Sequence, residues 1–576
     1  MVKVRDKRQF RRHYVVYLCE TSFDAVVKKA AKAVGENAGG GVNTHNGVKT
    51  QTFWIDNKYD RRKLKVNNMR VSLFIFFLTT SFFVCAQNSV PAAPAKMIGL
   101  FEDHTDVGNP IRRGNVTYNA ETGEYLMQGA GSNMWKGIDQ FHFLWKKIKG
   151  DFIITATIQF IGNGVAGHRK IGIIAREKLT TGSRYADACV HGGQPLLTSL
   201  QYRLADDDTT GQVIVASTHP TDIYFQRSGN VFTFSSAVAG ENYKTVTKEM
   251  QLNEELYAGL FICSHADTVI EKAVFSNVRI IIPAANDFRP YKDYIGSLLE
   301  TMDVQTGNRT VVHTDPGSIQ GPNWTKDGKS LIYNSSAGLL YKFDLASKTE
   351  TPINTGFAKS NNNDHVLSFD GKMIGLSNYV GAGHTSTIFI LPVTGSDNPV
   401  QITSADSGHS YFHCWSPDAK KLIFTGFRNK QYNIWSIDIA TKKETALTTQ
   451  PTLDDGAEYS PDGKWIYFNS VRTGTMKIWR MKADGSHQEQ VTFDEYNDWF
   501  PHFSPDGKWI VYLSFPTDID PTTHPFYKNV YLRLMPAAGG VPKNIAYVYG
   551  GQGSINVPSW SPDSKKIAFV SNTQLK

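Results

Sequence analysis

The sequence predicts an all-β protein in which a β-sandwich precedes a six-bladed β-propeller, closed by pairing of the propeller's first and last strands. Three observations lead there. A turn of the form aromatic-Ser-Pro-Asp-Gly-Lys recurs through the C-terminal half. Short runs of alternating apolar and polar residues fill the N-terminal half, with helical periodicity almost absent. At 576 residues the chain is also too long for one core.

Residues 1–68 form a basic extension, with 15 Lys and Arg against 6 Asp and Glu, while the whole chain carries +8. The remainder is therefore close to neutral, which argues against a nucleic-acid partner. The stretch "MRVSLFIFFLTTSFFVCAQ" then has the secretory pattern. Arg70 opens it, an apolar run extends from Leu73 to Val84, and Val84 and Ala86 stand at −3 and −1 of a cleavage site. That run is too short to span a bilayer comfortably. Residues 69–86 are thus expected to be a signal peptide. Met69 would be the true start, residues 1–68 no part of the mature protein, and membrane contact limited to the signal. The destination is the periplasm or the exterior; an uncleaved anchor with a basic cytoplasmic tail is the alternative. In an oxidising compartment Cys189 and Cys263 are candidates to pair, whereas Cys414 lies in a strand pattern and reads as a buried thiol.

Between residues 98 and 283 the runs "YLMQGAG", "DFIITATIQFIG", "IGIIAREKL", "VFTFSS" and "YAGLFICSHA" are separated by turns rich in Gly, Asn and Asp. Many short strands of this kind predict a sandwich of two sheets. The series "GDFIITATIQF…HRKIGIIARE…SLQYR…YAGLFICSHADTVIEKAVFSNVRI" resembles the concanavalin-like jelly-roll modules of secreted bacterial proteins. That resemblance implies an accessory recognition module, with carbohydrate as one ligand class. Trp135, His142, His168, Arg169, Arg176 and Arg203 are candidates for a sugar face, or for core and edge packing. "IIPAANDFRPYKDYIG" holds the expected linker, residues 284–296.

From residue 297 to 576 the repeat takes over. Its turns place Asp327, Asp370, Asp418, Asp462, Asp506 and Asp563 at spacings of 43, 48, 44, 44 and 57 residues, in the range of four-stranded propeller blades. Pro presets φ at the first corner, Asp bonds its own backbone, and Gly tolerates positive φ. A large apolar residue precedes each turn, as at Trp324, Trp415, Tyr459 and Trp560, and is expected to pack between blades. These turns are expected to be architecture. The last repeat supplies only inner strands, and "SLLETMDVQTGNRTVVHT" before the first repeat matches an outer pair. Together they are expected to complete one blade and leave no free edge.

These motifs resemble the six-bladed propeller of the TolB family of periplasmic proteins over residues 293–576. The combination with a sandwich resembles a group of secreted Bacteroidetes-type proteins. The resemblance implies a binding or scaffold protein. The small α/β domain that precedes the propeller in TolB itself has no counterpart in the sequence pattern.

Propellers put function at the mouth of the central channel. The residues just ahead of each repeat's aromatic are Asp364, His365, His409, His413, Asp455, Glu458, Asp498, His502, Gln552 and Asn556. They predict a polar funnel for a protein, peptide or glycan ligand. Imidazole beside carboxylate also suits a borderline divalent metal, so His365, His409, His413 and His502 are candidate ligands for Mn, Ca or Zn. The oligogalacturonate lyases resemble TolB propellers and carry a His-rich, metal-bearing funnel. They imply a rival reading, a metal-dependent polysaccharide lyase or hydrolase, in which Arg428 or Arg472 holds a carboxylate; those lyases have seven blades, against six counted here. A structural envelope adaptor is the third reading. The sequence holds no Gly-x-Ser-x-Gly elbow, phosphate loop or His-Glu-x-x-His.

Overall fold

The computed structural model describes residues 97–193 and 197–575, and the backbone of three earlier strands, Tyr14–Val15, Ala38–His45 and Val48–Ile55. Those three form one antiparallel sheet within a unit spanning Met1–Pro94, separate from the unit Ala95–Lys576. The expected signal peptide, residues 69–86, lies outside the described residues. Among the described residues no helix is long and apolar enough to cross a membrane.

Residues 103–281 build two seven-stranded antiparallel sheets. The first has Tyr185–His191, Lys170–Arg176 and Glu255–Cys263 as adjacent central strands. The second is centred on Phe152–Ile161 and the long strand Ala266–Ile281. Period-two alternation explains their packing. Ile171, Ile173 and Ala175 join Ile154, Phe225, Phe232, Leu260 and Phe275 in one apolar core shared by the two sheets. Lys170 and Arg176, each one residue out of phase with that set, take the opposite face.

Buried ion pairs and hydrogen bonds use up most of the proposed sugar-contact residues. Arg176 and Arg203 both bind the buried Asp139, at 3.1 and 2.7 Å. Arg169 is buried against Glu271 at 2.7 Å. His142 is fixed between Asp106, at 2.7 Å, and His104, at 3.0 Å. His168 is exposed and Trp135 half-buried. Cys189 and Cys263, the candidates to pair, are both free, buried thiols. Their strands flank Lys170–Arg176 on either side, so two strand spacings separate the Cα atoms by about 10 Å, beyond the roughly 7 Å a disulfide spans. Cys414 is a buried thiol in strand Ser410–Trp415.

Residues 297–572 form the six blades of a propeller. Blades one to five are four-stranded, with inner strands Ile319–Trp324, Asn361–Leu367, Ser410–Trp415, Asp454–Tyr459 and Asn497–Phe503. Blade six joins Arg309–Asp315, Ser297–Asp303 and the C-terminal strand Lys566–Asn572, with Leu299 opposite Val570. Trp560 adds one bridge to Ile567.

The repeated turn is a local hydrogen-bonding device. Ser416 Oγ donates to Asp418 Oδ1 at 2.6 Å, Asp418 accepts from Lys420 N, and Lys421 N donates back to Ser416 Oγ. The same pattern holds at Asp327, Asp370, Asp462, Asp506 and Asp563. These bonds favour the charged carboxylate and lower each Asp below the ordinary range. The aromatic ahead of the turn reaches the preceding blade: Trp415 Nε1 donates to Val366 O at 2.9 Å, and Trp560 Nε1 to His502 O at 3.0 Å.

Candidate functional site

In blades one to five the inner strand breaks register, between Gln320 and Asn323, Asn361 and His365, Phe412 and Cys414, Asp455 and Glu458, and Trp499 and His502. A bulge re-aims the side chains beside it. Here the bulges bring Asp364, His413, Asp455 and Phe500 to the wall of a cavity of about 1120 Å³, completed by Gln552 and Asn556 of blade six. Gly321, Gly456 and Phe500 occupy equivalent positions three residues before the aromatic and share positive φ, at 62°, 62° and 56°. Glycine adopts that conformation freely, whereas phenylalanine is strained there.

His413 Nε2 stands 3.0 Å from Asp455 Oδ1. The same carboxylate accepts from Thr425 Oγ1 at 2.6 Å and from Gly456 N at 2.8 Å, and His524 Nε2 lies 3.9 Å from its other oxygen. Burial would raise the Asp455 carboxyl, but the His413 hydrogen bond and charge hold it at about 2. Burial would lower His413; the Asp455 hydrogen bond and charge more than offset that and raise it. Asp364 differs. Burial pushes its carboxyl up to about 6 against the pull of His413, and Asn362 Nδ2 donates to it at 3.0 Å.

The other predicted funnel residues are turned away from the cavity. His365 is buried with Nε2 3.4 Å from Ile332 O, and burial lowers it to about 4. His409 Nδ1 accepts from Ser386 N at 3.1 Å. His502 bridges blades, with Glu458 at 2.6 Å and Ile555 O at 2.6 Å, while Glu458 also accepts from Phe503 N. Asp498 accepts from Ser514 Oγ at 2.6 Å beside Arg533. Arg428 caps Glu444 and His409 O, and Arg472 caps Asp454, so neither faces the cavity.

The metal implied by the lyase resemblance does not fit this funnel. Of His365, His409, His413 and His502 only His413 reaches the cavity, and the other three ring systems are held by partners of their own. Among the described residues the one close group of three donors is His313, Asp315 and Glu350, on the outer strands of blades six and one.

Sequence reasoning missed His524, which lines the cavity from the segment before strand Lys528–Pro536. It has no counterpart in other blades, and the 57-residue repeat spacing is its only signal. Tyr379, Tyr411 and Tyr432 also line the cavity, and Tyr291 and Tyr294 reach it from the linker.

Six blades surround a cavity whose lining the bulged inner strands present, the architecture of a six-bladed β-propeller. The TolB beta propeller domain family matches residues 367–520. An uncharacterized protein of Agrobacterium fabrum is 42% identical over 275 residues, 48% of this chain and 92% of that protein. Among solved structures, one assigned as TolB from Agrobacterium tumefaciens is 41% identical, covering 49% of this chain and all of that one, with a TM-score of 0.47. TolB from Acinetobacter baumannii is 19% identical over 45% of this chain and 64% of that one, with a TM-score of 0.35. The chain belongs to the TolB-like β-propeller family.

Proposed function

We propose that the protein is a periplasmic or secreted binding or scaffold protein whose propeller funnel takes a segment of a partner protein. The observation that carries this reading is the convergence of Asp364, His413, Asp455, Gln552 and Asn556 on one open cavity large enough for several residues of chain. In this reading residues 69–86 direct export, residues 98–283 form a concanavalin-like jelly-roll sandwich, and residues 284–296 link it to the propeller, 297–576. The sandwich serves as an accessory module, with Trp135 and His168 as its remaining candidates for glycan contact. A metal-dependent lyase or hydrolase is less well supported, because the histidines it needs are not brought together.

Site-specific photo-cross-linking tests the reading. A cross-linker at Ala337 or Thr522, both on the cavity wall, is expected to capture a discrete protein in the periplasm of a Gram-negative host. One at Lys348, exposed on a turn outside that wall, is expected to capture none. Equal yields at all three positions would overturn it.

A further inference from the structure

The two carboxylates of the funnel are unequally served. Asp455 has His413 and His524. Asp364 is only 5% exposed; its one side-chain donor is the neutral Asn362 amide, and no Lys or Arg lines the cavity among the described residues. His413 acts on Asp364 only through its charge, and a carboxylate drawn out of water with no ion-pair partner in contact is costly until a positive group arrives. The surrounding wall is aromatic. Tyr291, Tyr379 and Tyr411 stand close enough to Asp364 for its charge to bear on their hydroxyls, and Tyr432 packs on Tyr411 with centroids 6.4 Å apart. Tyrosine faces attract cations through the ring quadrupole, most strongly where water is excluded.

We infer that the funnel recognises a primary ammonium group, the N-terminus or a lysine side chain of the bound segment, seated on Asp364 within this tyrosine wall. The inference rests on the reading of the funnel as a binding site and deepens it by naming the ligand chemistry. The charge agrees, since Asp364 and Asp455 are the cavity's carboxylates and Asp455 already claims His413 and His524. The pH dependence has one sign. Asp364 gains charge as pH rises through about 6, His413 loses charge higher up, Asp455 stays ionised, and the tyrosines stay neutral. Each change makes the cavity more receptive to a cation toward neutral pH.

Calorimetry with the full chain and three peptide amides tests this. Gly-Tyr-Gly carries a free N-terminus, acetyl-Gly-Lys-Gly only a lysine amine, and acetyl-Gly-norleucine-Gly no charge. At least one cationic peptide is expected to bind about tenfold or more tighter than the neutral one, and which one identifies the source of the amine. Asp364→Asn should abolish that preference, while Asp406→Asn, remote in the exposed turn Ala405–Ser407, should keep it. If Asp364→Asn does not fold by circular dichroism, the wild-type preference must still grow between pH 5 and pH 7. Equal binding of all three peptides, or a preference indifferent to Asp364 or to pH, would overturn the inference and leave funnel binding standing. Binding of none would also overturn it, and the cross-links from Ala337 and Thr522 would then decide the broader reading separately.

Discussion

His413 Nε2 lies 3.0 Å from Asp455 Oδ1, a contact that joins the bulged inner strands of blades three and four across the funnel wall. The bulges make it possible, because a regular strand would hold both side chains in the ladder's phase. The pair is therefore part of the frame as well as part of the cavity.

Its titration follows. His413 is raised above 6.5, so its contribution to stability is full below pH 6.5 and lost as pH rises through the raised value. Asp455 is depressed from 3.8 to about 2, so its contribution is present above pH 3.8 and lost as pH falls toward 2. The interaction is strongest between these limits. Asp455→Asn is expected to lower the His413 titration midpoint, read by NMR of the ring protons; an unchanged midpoint would refute the coupling.

Phe500 holds φ at 56° where blades one and four use glycine. In an ordinary strand Gly is less stable than Ala by about 0.5–1 kcal/mol. At this position a non-glycine residue carries a left-handed cost of about 1–2 kcal/mol. Phe500→Gly is therefore expected to be more stable to urea than Phe500→Ala, though both lose the ring. The usual order, with Ala ahead, would show that no strain is stored there.

Trp415 and Trp324 occupy the same place in their blades but differ in bonding. Trp415 Nε1 donates to Val366 O, whereas Trp324 Nε1 is buried without a partner. Trp415→Phe removes this hydrogen bond and should cost about 0.5–1.5 kcal/mol beyond the loss of ring area. Trp324→Phe removes no bond and should cost distinctly less. Chemical denaturation of the two variants side by side measures the difference.

Glu300 ties the two-sheet region to blade six. It is fully buried, binding Arg279 at 2.6 Å, Arg309 at 2.7 Å and Ser571 Oγ at 2.5 Å. Burial would raise its carboxyl, but the two guanidinium groups hold it at about 2, below the ordinary 4.5. Its stabilisation is thus present above pH 4.5 and lost as pH falls toward 2. Glu300→Gln leaves two buried cations short of an anion and should cost about 3–5 kcal/mol at pH 7. The gap from the parent protein in urea unfolding should shrink toward pH 3; a gap independent of pH would point to packing alone.

The blades were legible because their turns are local. Each Ser-Pro-Asp-Gly motif closes its hydrogen bonds within about five residues, so the fold advertises itself once per repeat. The funnel was legible only in part. Asp364, His413, Asp455, Gln552 and Asn556 face the cavity as their place before the aromatic implies. His365, His409, Glu458, Asp498 and His502 do not, because neighbouring residues alternate sides and the bulges shift that alternation by amounts no local motif records. The arginines of the two-sheet region looked like ligand contacts, but Asp139 and Glu271, distant in sequence, claim them.

The most direct test is the cross-linking yield from Ala337 with and without the double substitution Asp364→Asn and Asp455→Asn. If these carboxylates are the seat of partner binding, the adduct present in the parent protein disappears in the folded variant. An adduct of unchanged identity and yield would place the partner elsewhere and contradict the account.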